Sequence, residues 1–207
     1  MAVTLVVTNL HNRKATMHLY RAISSDLPLL VVALEEEATH LHVTELPVLV
    51  TGAGKVNAAV AVATILGKFS PARVINLGTA GALRDGVSGT QVISRVTQHD
   101  LDDAELFELT GLHFGAPIEF GGTGLTLTTG DDFVSNDTTR NRLAKQADLV
   151  DMEGYAIAHA AAVAGIPLTI VKQVSDQAGS AAGKSWSESV DECAEQLAAW
   201  VRANVLK

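Results

Sequence analysis

The sequence predicts an α/β fold in which a central, mostly parallel mixed sheet lies between two layers of helices. Three observations carry this. Short β-branched apolar runs alternate with Ala-rich stretches along the chain, the order expected when helices connect the strands of one sheet. Several runs are apolar at every position, as strands buried on both faces are. Aromatic residues make up only 4% of the chain, so the layers close on Ala, Val and Leu.

Strands are expected at Leu29–Leu34, Pro47–Thr51, Arg73–Leu77, Thr90–Thr97, Leu125–Thr128 and Leu168–Val174. Helices are expected at Gly54–Lys68 and Asp151–Ala164, the second stopped by Gly165 with Pro167 close behind. A last helix, Ser187 to Val205, puts Val190, Cys193, Ala194, Leu197, Val201 and Val205 on one stripe, so Cys193 points inward. With 207 residues the chain fills one core and is short for two. One domain, 27–207, is therefore expected. Residues 1–26, with the apolar run Val3–Val7, form an uncertain N-terminal extension: an extra strand and helix, or residues ahead of a natural start at Met17.

A net charge of −8 without a basic patch opposes a nucleic-acid surface. The single cysteine excludes an internal disulfide framework and fits a reducing cytoplasm. No apolar run reaches the roughly 18 residues that span a bilayer, and Met1 to Val7 lacks a basic leader and a cleavage site. A cytoplasmic protein away from membranes is expected.

The motifs gather where expected strands end. Leu34-Glu35-Glu36-Glu37-Ala38 follows Leu29–Ala33 directly, and three adjacent carboxylates at a strand tip are electrostatically unfavourable. In open α/β sheets that edge is also where ligands bind, which makes the cluster a catalytic candidate. Val174-Ser175-Asp176 is a second acidic tip. Thr51-Gly52-Ala53-Gly54-Lys55-Val56-Asn57 joins a strand to a helix and fits either a tight turn or a ligand site at a helix N-terminus. It is not a P-loop, which needs Gly at Leu49 and Ser or Thr at Val56, nor a dinucleotide fingerprint, which needs Gly at Asn57.

Asn76-Leu77-Gly78-Thr79-Ala80-Gly81 reads as a second glycine turn on the same edge, and two such turns favour a pocket over either alone. Thr129-Gly130-Asp131-Asp132-Phe133-Val134 is a third turn, whose aromatic either covers a flat base or is buried. In Asp151-Met152-Glu153-Gly154 a carboxylate either stabilises a helix start or accepts a diol. His40, His42 and His99-Asp100-Leu101-Asp102 lack the helical i, i+4 pair of a zincin and any Cys partner, so no metal is expected.

Taken in order from about Leu29 to the C-terminus, these motifs resemble the nucleoside phosphorylase and nucleosidase superfamily. Within it they are most similar to the methylthioadenosine/S-adenosylhomocysteine nucleosidases. The resemblance implies a nucleoside phosphorylase-like fold and a purine nucleoside N-ribohydrolase, with no cofactor, in nucleoside metabolism and methionine salvage. Residue by residue, it implies that Asp176 protonates the purine at N7, with Ser175 positioning it. Glu37 would deprotonate the attacking water. Glu153 would hold the ribose diol, Met152 would pack on the ribose, and Thr79, Ala80 and Gly81 would form the turn beside ribose and water. Phe133 and Val134 would recognise the base, and Trp186 would stand near the 5′ end. It further implies a homodimer.

Phosphorylases of the superfamily carry Gly-Asp-Pro-x-Arg where this chain has Leu34-Glu35-Glu36-Glu37, and carboxylates there repel phosphate. Hydrolysis is thus favoured over phosphorolysis. Two segments depart from the nucleosidase pattern: the span from Glu37 to Gly52 is shorter by about one β-hairpin, and Leu101–Phe120 matches poorly. Futalosine-type and other purine nucleosides therefore stay open as substrates. A purine nucleoside phosphorylase and a silent nucleoside-binding protein are the competing readings.

Overall fold

Leu29, Leu30, Val31 and Val32 are all fully buried, so one strand must be covered on both faces. The computed structural model describes residues 17–206 and shows how. The chain begins with β1 (His18–Tyr20), β2 (Leu29–Val32), α1 (Glu35–Ala38), a 3₁₀ turn (His42–Thr44), β3 (Val48–Val50) and α2 (Lys55–Leu66). It continues through β4 (Val74–Ala82), β5 (Thr90–Gln98), α3 (Asp103–Thr110), β6 (Ile118–Glu119), β7 (Leu125–Thr129) and α4 (Asp137–Leu143). It ends with β8 (Leu149–Asp151), α5 (Gly154–Ala164), β9 (Leu168–Asp176) and α6 (Ala182–Asn204). The run Val3–Val7 lies outside the described residues.

Alternation along β2 sends Leu29 and Val31 into a cluster with α2 and α5, whose Ala58, Val62, Ile157 and Ala161 pack against them. Leu30 and Val32 face the other way, onto Leu197, Ala198 and Val201 of α6 and Ala38 of α1. The two helical layers of the expected fold follow directly. Cys193 is buried on α6, as its stripe requires.

The sheet does more than lie flat between these layers. Strand β4 is long enough to hold three partners: β2 at its start, β9 along its length, and β8 antiparallel at Gly81 and Ala82. Strand β5 pairs β9 antiparallel through Thr90–Val92 and then β7 in parallel. Because β7 pairs β8, the strands β4, β9, β5, β7 and β8 close into a ring, with β2, β3 and β1 continuing from β4.

Several expected bounds change. Arg73–Leu77 continues as strand to Ala82, so Thr79, Ala80 and Gly81 are not a turn: small side chains there let β9 and β8 pair closely with β4. Asp151 belongs to a strand rather than to the following helix, which starts at Gly154, because its carboxylate accepts the Gly154 N–H from outside the helix (2.9 Å). The last helix starts at Ala182, five residues before the expected Ser187, since the turns ahead of its apolar stripe are mostly polar. The poorly patterned stretch Leu101–Phe120 holds α3, which buries no residue and so leaves no apolar period, and the two-residue β6. No helix among the described residues is long and apolar enough to cross a membrane.

Leu197 is fully buried between α6 and the sheet. Leu197→Ala is expected to cost about 2–5 kcal/mol through lost contacts and a residual cavity, measured by urea unfolding.

Candidate active site

The carboxyl ends of β2, β4, β8 and β9, with the loop after β7, surround a cavity of about 220 Å³. All eleven residues singled out from the sequence line it: Glu37, Thr79, Ala80, Gly81, Phe133, Val134, Met152, Glu153, Ser175, Asp176 and Trp186. Strand ends from distant parts of the chain meet here because the sheet closes. No arginine lines the cavity among the described residues, while Asp132 and Asp151 add to its carboxylates.

Glu37 is almost fully buried and each of its oxygens is held by two donors. Oε1 accepts the Thr79 N–H (2.8 Å) and hydroxyl (3.0 Å), and Oε2 accepts the N–H groups of Ala33 (3.1 Å) and Leu34 (3.2 Å). The one-turn helix α1 places it there, directly after β2. The indole N–H of Trp186 donates to the Thr79 hydroxyl oxygen (3.1 Å), which links the start of α6 to the same group.

Asp176, at the tip of β9, accepts the Ser175 hydroxyl at Oδ2 (2.8 Å) and the Ala178 N–H at Oδ1 (2.7 Å). Gly81 makes room for it, since a Cβ there would stand 3.1 Å from Asp176 Oδ1. Glu153 accepts the Gly54 N–H at 2.8 Å. Burial, then the charge of Asp151, pushes its carboxyl up to about 8 against the opposing pull of Lys172. Phe133 is 47% exposed and lines the cavity wall.

Lys172 is the residue that sequence reasoning missed. Its ammonium lies 2.9 Å from Asp151 Oδ2, is fully shielded from solvent, and faces Glu153 and Glu37 as well. Burial works against the charge, but the three carboxylates outweigh it and raise its pKa. The available signal was a lysine directly behind the apolar pair Ile170-Val171 of β9. Gly78 is part of the same arrangement: a Cβ would come 3.1 Å from Lys172 Nζ and 3.3 Å from Glu37 Oε1. Asp151 is spent on structure, since it also accepts the Thr129 hydroxyl (2.6 Å) and the Gly154 N–H.

The histidines weighed as metal ligands lie apart. His40 bonds Asp191, His42 packs edge-on against Tyr20, and His99 covers Gly130.

A ring-closed α/β sheet with a shielded acidic cavity at its strand ends defines an enzyme of the nucleoside phosphorylase-like fold class. The phosphorylase superfamily model matches residues 23–121 and 122–206, and the chain belongs to that family. It is 32% identical over 196 residues to the 5′-methylthioadenosine/S-adenosylhomocysteine nucleosidase of Chromohalobacter salexigens, covering 80% of this chain and 81% of that one. The structure is similar to that of the Neisseria meningitidis nucleosidase of the same name, solved with methylthio-immucillin-A: TM-score 0.75, 25% identity, 85% of this chain and 96% of that one. It shares its fold with the futalosine hydrolase of Helicobacter pylori, with TM-score 0.77, 20% identity, and coverage of 86% and 96%.

Lys172→Met is expected to cost about 3–5 kcal/mol near neutral pH, because it leaves buried carboxylates without their cation. The loss should shrink on acidification as they take up protons, which urea unfolding across pH would measure. Glu153 predicts a further pH dependence. Its folded pKa is raised, so its contribution to stability is fully present below about pH 4.5 and is lost as the pH rises through about 8. The stability difference between wild type and Glu153→Gln should therefore drift in favour of the variant over that window.

Proposed function

We propose that this protein is a purine nucleoside N-ribohydrolase of the methylthioadenosine/S-adenosylhomocysteine nucleosidase type. The observation that carries the reading is the pairing, across one arginine-free cavity, of a glutamate fixed by four donors with an aspartate at the tip of β9. Water attacks C1′ as its proton passes to Glu37. The C1′–N9 bond breaks, its electron pair leaves with the purine, and Asp176 supplies the proton that N7 takes up. Each proton transfer of this kind contributes roughly 10²–10⁴-fold. Positive charge growing on the sugar is stabilised by the surrounding carboxylates, which favour the transition state over the neutral ground state.

Glu153 holds the ribose diol and Met152 packs beside it. Thr79, Ala80 and Gly81 flank the ribose and the water, Phe133 stacks on the base, and Val134 reads its edge. Ser175 orients Asp176, and Trp186 covers the 5′ end. Phosphate is disfavoured here: Lys172 is the cation facing these carboxylates, and it is already neutralised by them. The domain is 27–207, with 1–26 as an extension whose His18–Tyr20 strand joins the edge of the sheet. The exposed Phe107, Leu109, Leu112 and Phe114, within one short segment, support a homodimer. A cytoplasmic place in methionine salvage fits the single reduced cysteine and the relatives' substrates.

The test is a panel of purine nucleosides, including 5′-methylthioadenosine and futalosine, incubated with and without phosphate and scored for free base. The wild type is expected to release base and free sugar in phosphate-free buffer. Glu37→Gln and Asp176→Asn should each lose at least about 10²-fold in kcat while remaining folded. A strict phosphate requirement, with a sugar 1-phosphate as product, would overturn hydrolysis. Absence of turnover on the whole panel would favour a silent binding protein.

A further inference from the structure

The N-terminus of α2 carries no side-chain cap of its own, because its N-cap residue is Gly54. Two of its N–H groups are instead taken by carboxylates from remote segments. Gly54 N–H donates to Glu153, and Lys55 N–H donates to Asp131 Oδ1 at 2.8 Å. The approach of Asp131 requires glycine at 54, where φ is +91° and a Cβ would meet Asp131 Oδ1 at 3.2 Å. Asp131 in turn donates its own N–H to Asp100 Oδ2 (3.0 Å), and Asp100 Oδ1 accepts from Lys55 Nζ at 2.5 Å. Gln98, at the end of β5, accepts a second bond from the same ammonium (3.3 Å).

The contacts form a closed circuit: Lys55 backbone to Asp131, Asp131 backbone to Asp100, Asp100 back to the Lys55 side chain. It ties three chain segments together at the residue immediately before Asp132, Phe133 and Val134, which form the wall of the cavity. The Lys55 and Asp100 side chains are only 20% and 27% exposed, so solvent screens the pair less than a surface ion pair. Burial resists ionisation of Asp100, but the bonds from Lys55 and from Asp131 N–H prevail and hold its carboxyl below the usual range. None of Lys55, Asp100 or Asp131 lines the cavity itself.

We propose that Lys55 is a positioning residue for base recognition, which through Asp100 and Asp131 fixes the Asp132–Val134 wall against the helix end that also holds Glu153. This rests on the nucleosidase reading, with Phe133 and Val134 as the base subsite. A clamp of this kind acts on substrate binding more than on the bond-breaking step, because Glu37 and Asp176 are held by other contacts. Loosening it raises KM and leaves kcat nearly unchanged.

The experiment compares wild type with Lys55→Met, the conservative Asp100→Asn, their double variant, and Lys55→Arg. It measures steady-state kinetics on the best purine nucleoside and amide hydrogen exchange over residues 131–134. Each single variant is expected to raise KM at least about tenfold with kcat within about threefold, and to speed exchange at 131–134. The double variant should be no worse than about twofold beyond the single ones, because both remove one circuit. Lys55→Arg, which keeps the charge, should recover part of the loss. Unchanged KM, a fall in kcat alone, or unchanged exchange at 131–134 in the folded variants would each overturn the proposal. If the wild type turns over no purine nucleoside, the nucleosidase reading fails separately and exchange alone decides: faster exchange at 131–134 upholds the clamp, and unchanged exchange overturns it.

Discussion

One buried ammonium makes this acidic cavity possible. Glu37, Asp151 and Glu153 converge on a region shielded from water, where like charges repel strongly and each ion loses its hydration. Lys172 stands among them and returns part of that loss by attraction to all three. The balance is incomplete, which is why Glu153 still binds its proton more tightly than an exposed glutamate. The site therefore leaves Glu153 poised near neutral pH, beside two carboxylates held by donors of their own. Such a division is what a site handling protons and hydroxyls can use.

The closed sheet explains why these groups meet. A flat parallel sheet would place the tip of β2 several strands from that of β8, whereas the ring brings β8 back onto the end of β4. Small residues are the means. Gly78 leaves space for the Lys172 ammonium beside Glu37, and Gly81 lets Asp176 approach the same strand while β8 pairs it from the other edge. A larger side chain at Gly78 would collide with Lys172 and Glu37, and one at Gly81 with Asp176 and also with the buried Ala178 and Val150.

The carboxylates are also separated by how their oxygens are loaded. Glu37 has both oxygens held by backbone and hydroxyl donors, and these four bonds fix its position. Asp151 is held by Lys172, Thr129 and Gly154 and braces the start of α5. Among the described residues Glu153 takes one hydrogen bond, from Gly54 N–H, which leaves acceptor capacity on a carboxyl that lines the cavity. A carboxyl group thus serves as a fixed acceptor, a structural brace or an open acceptor, according to the donors around it.

The sequence by itself determined the layered α/β class, six strands, three long helices and the inward stripe of Cys193, because burial on both faces leaves apolar runs and amphipathic helices leave a period. Eleven of the residues that line the cavity were legible as well, some as glycine-rich segments and acidic strand tips, and others, Met152 and Trp186 among them, only through the family resemblance that the order of these motifs carried. Tertiary structure decided what local pattern does not encode. The short elements β1, β6, β8 and α1 are too brief to show a period, and α3 has no buried face to impose one. Ring closure depends on which edges of β4 and β5 find partners far along the chain. Lys172 reads in one dimension as one of several polar residues in a strand, next to Gln173; its meaning comes from three carboxylates that only the folded chain brings within reach.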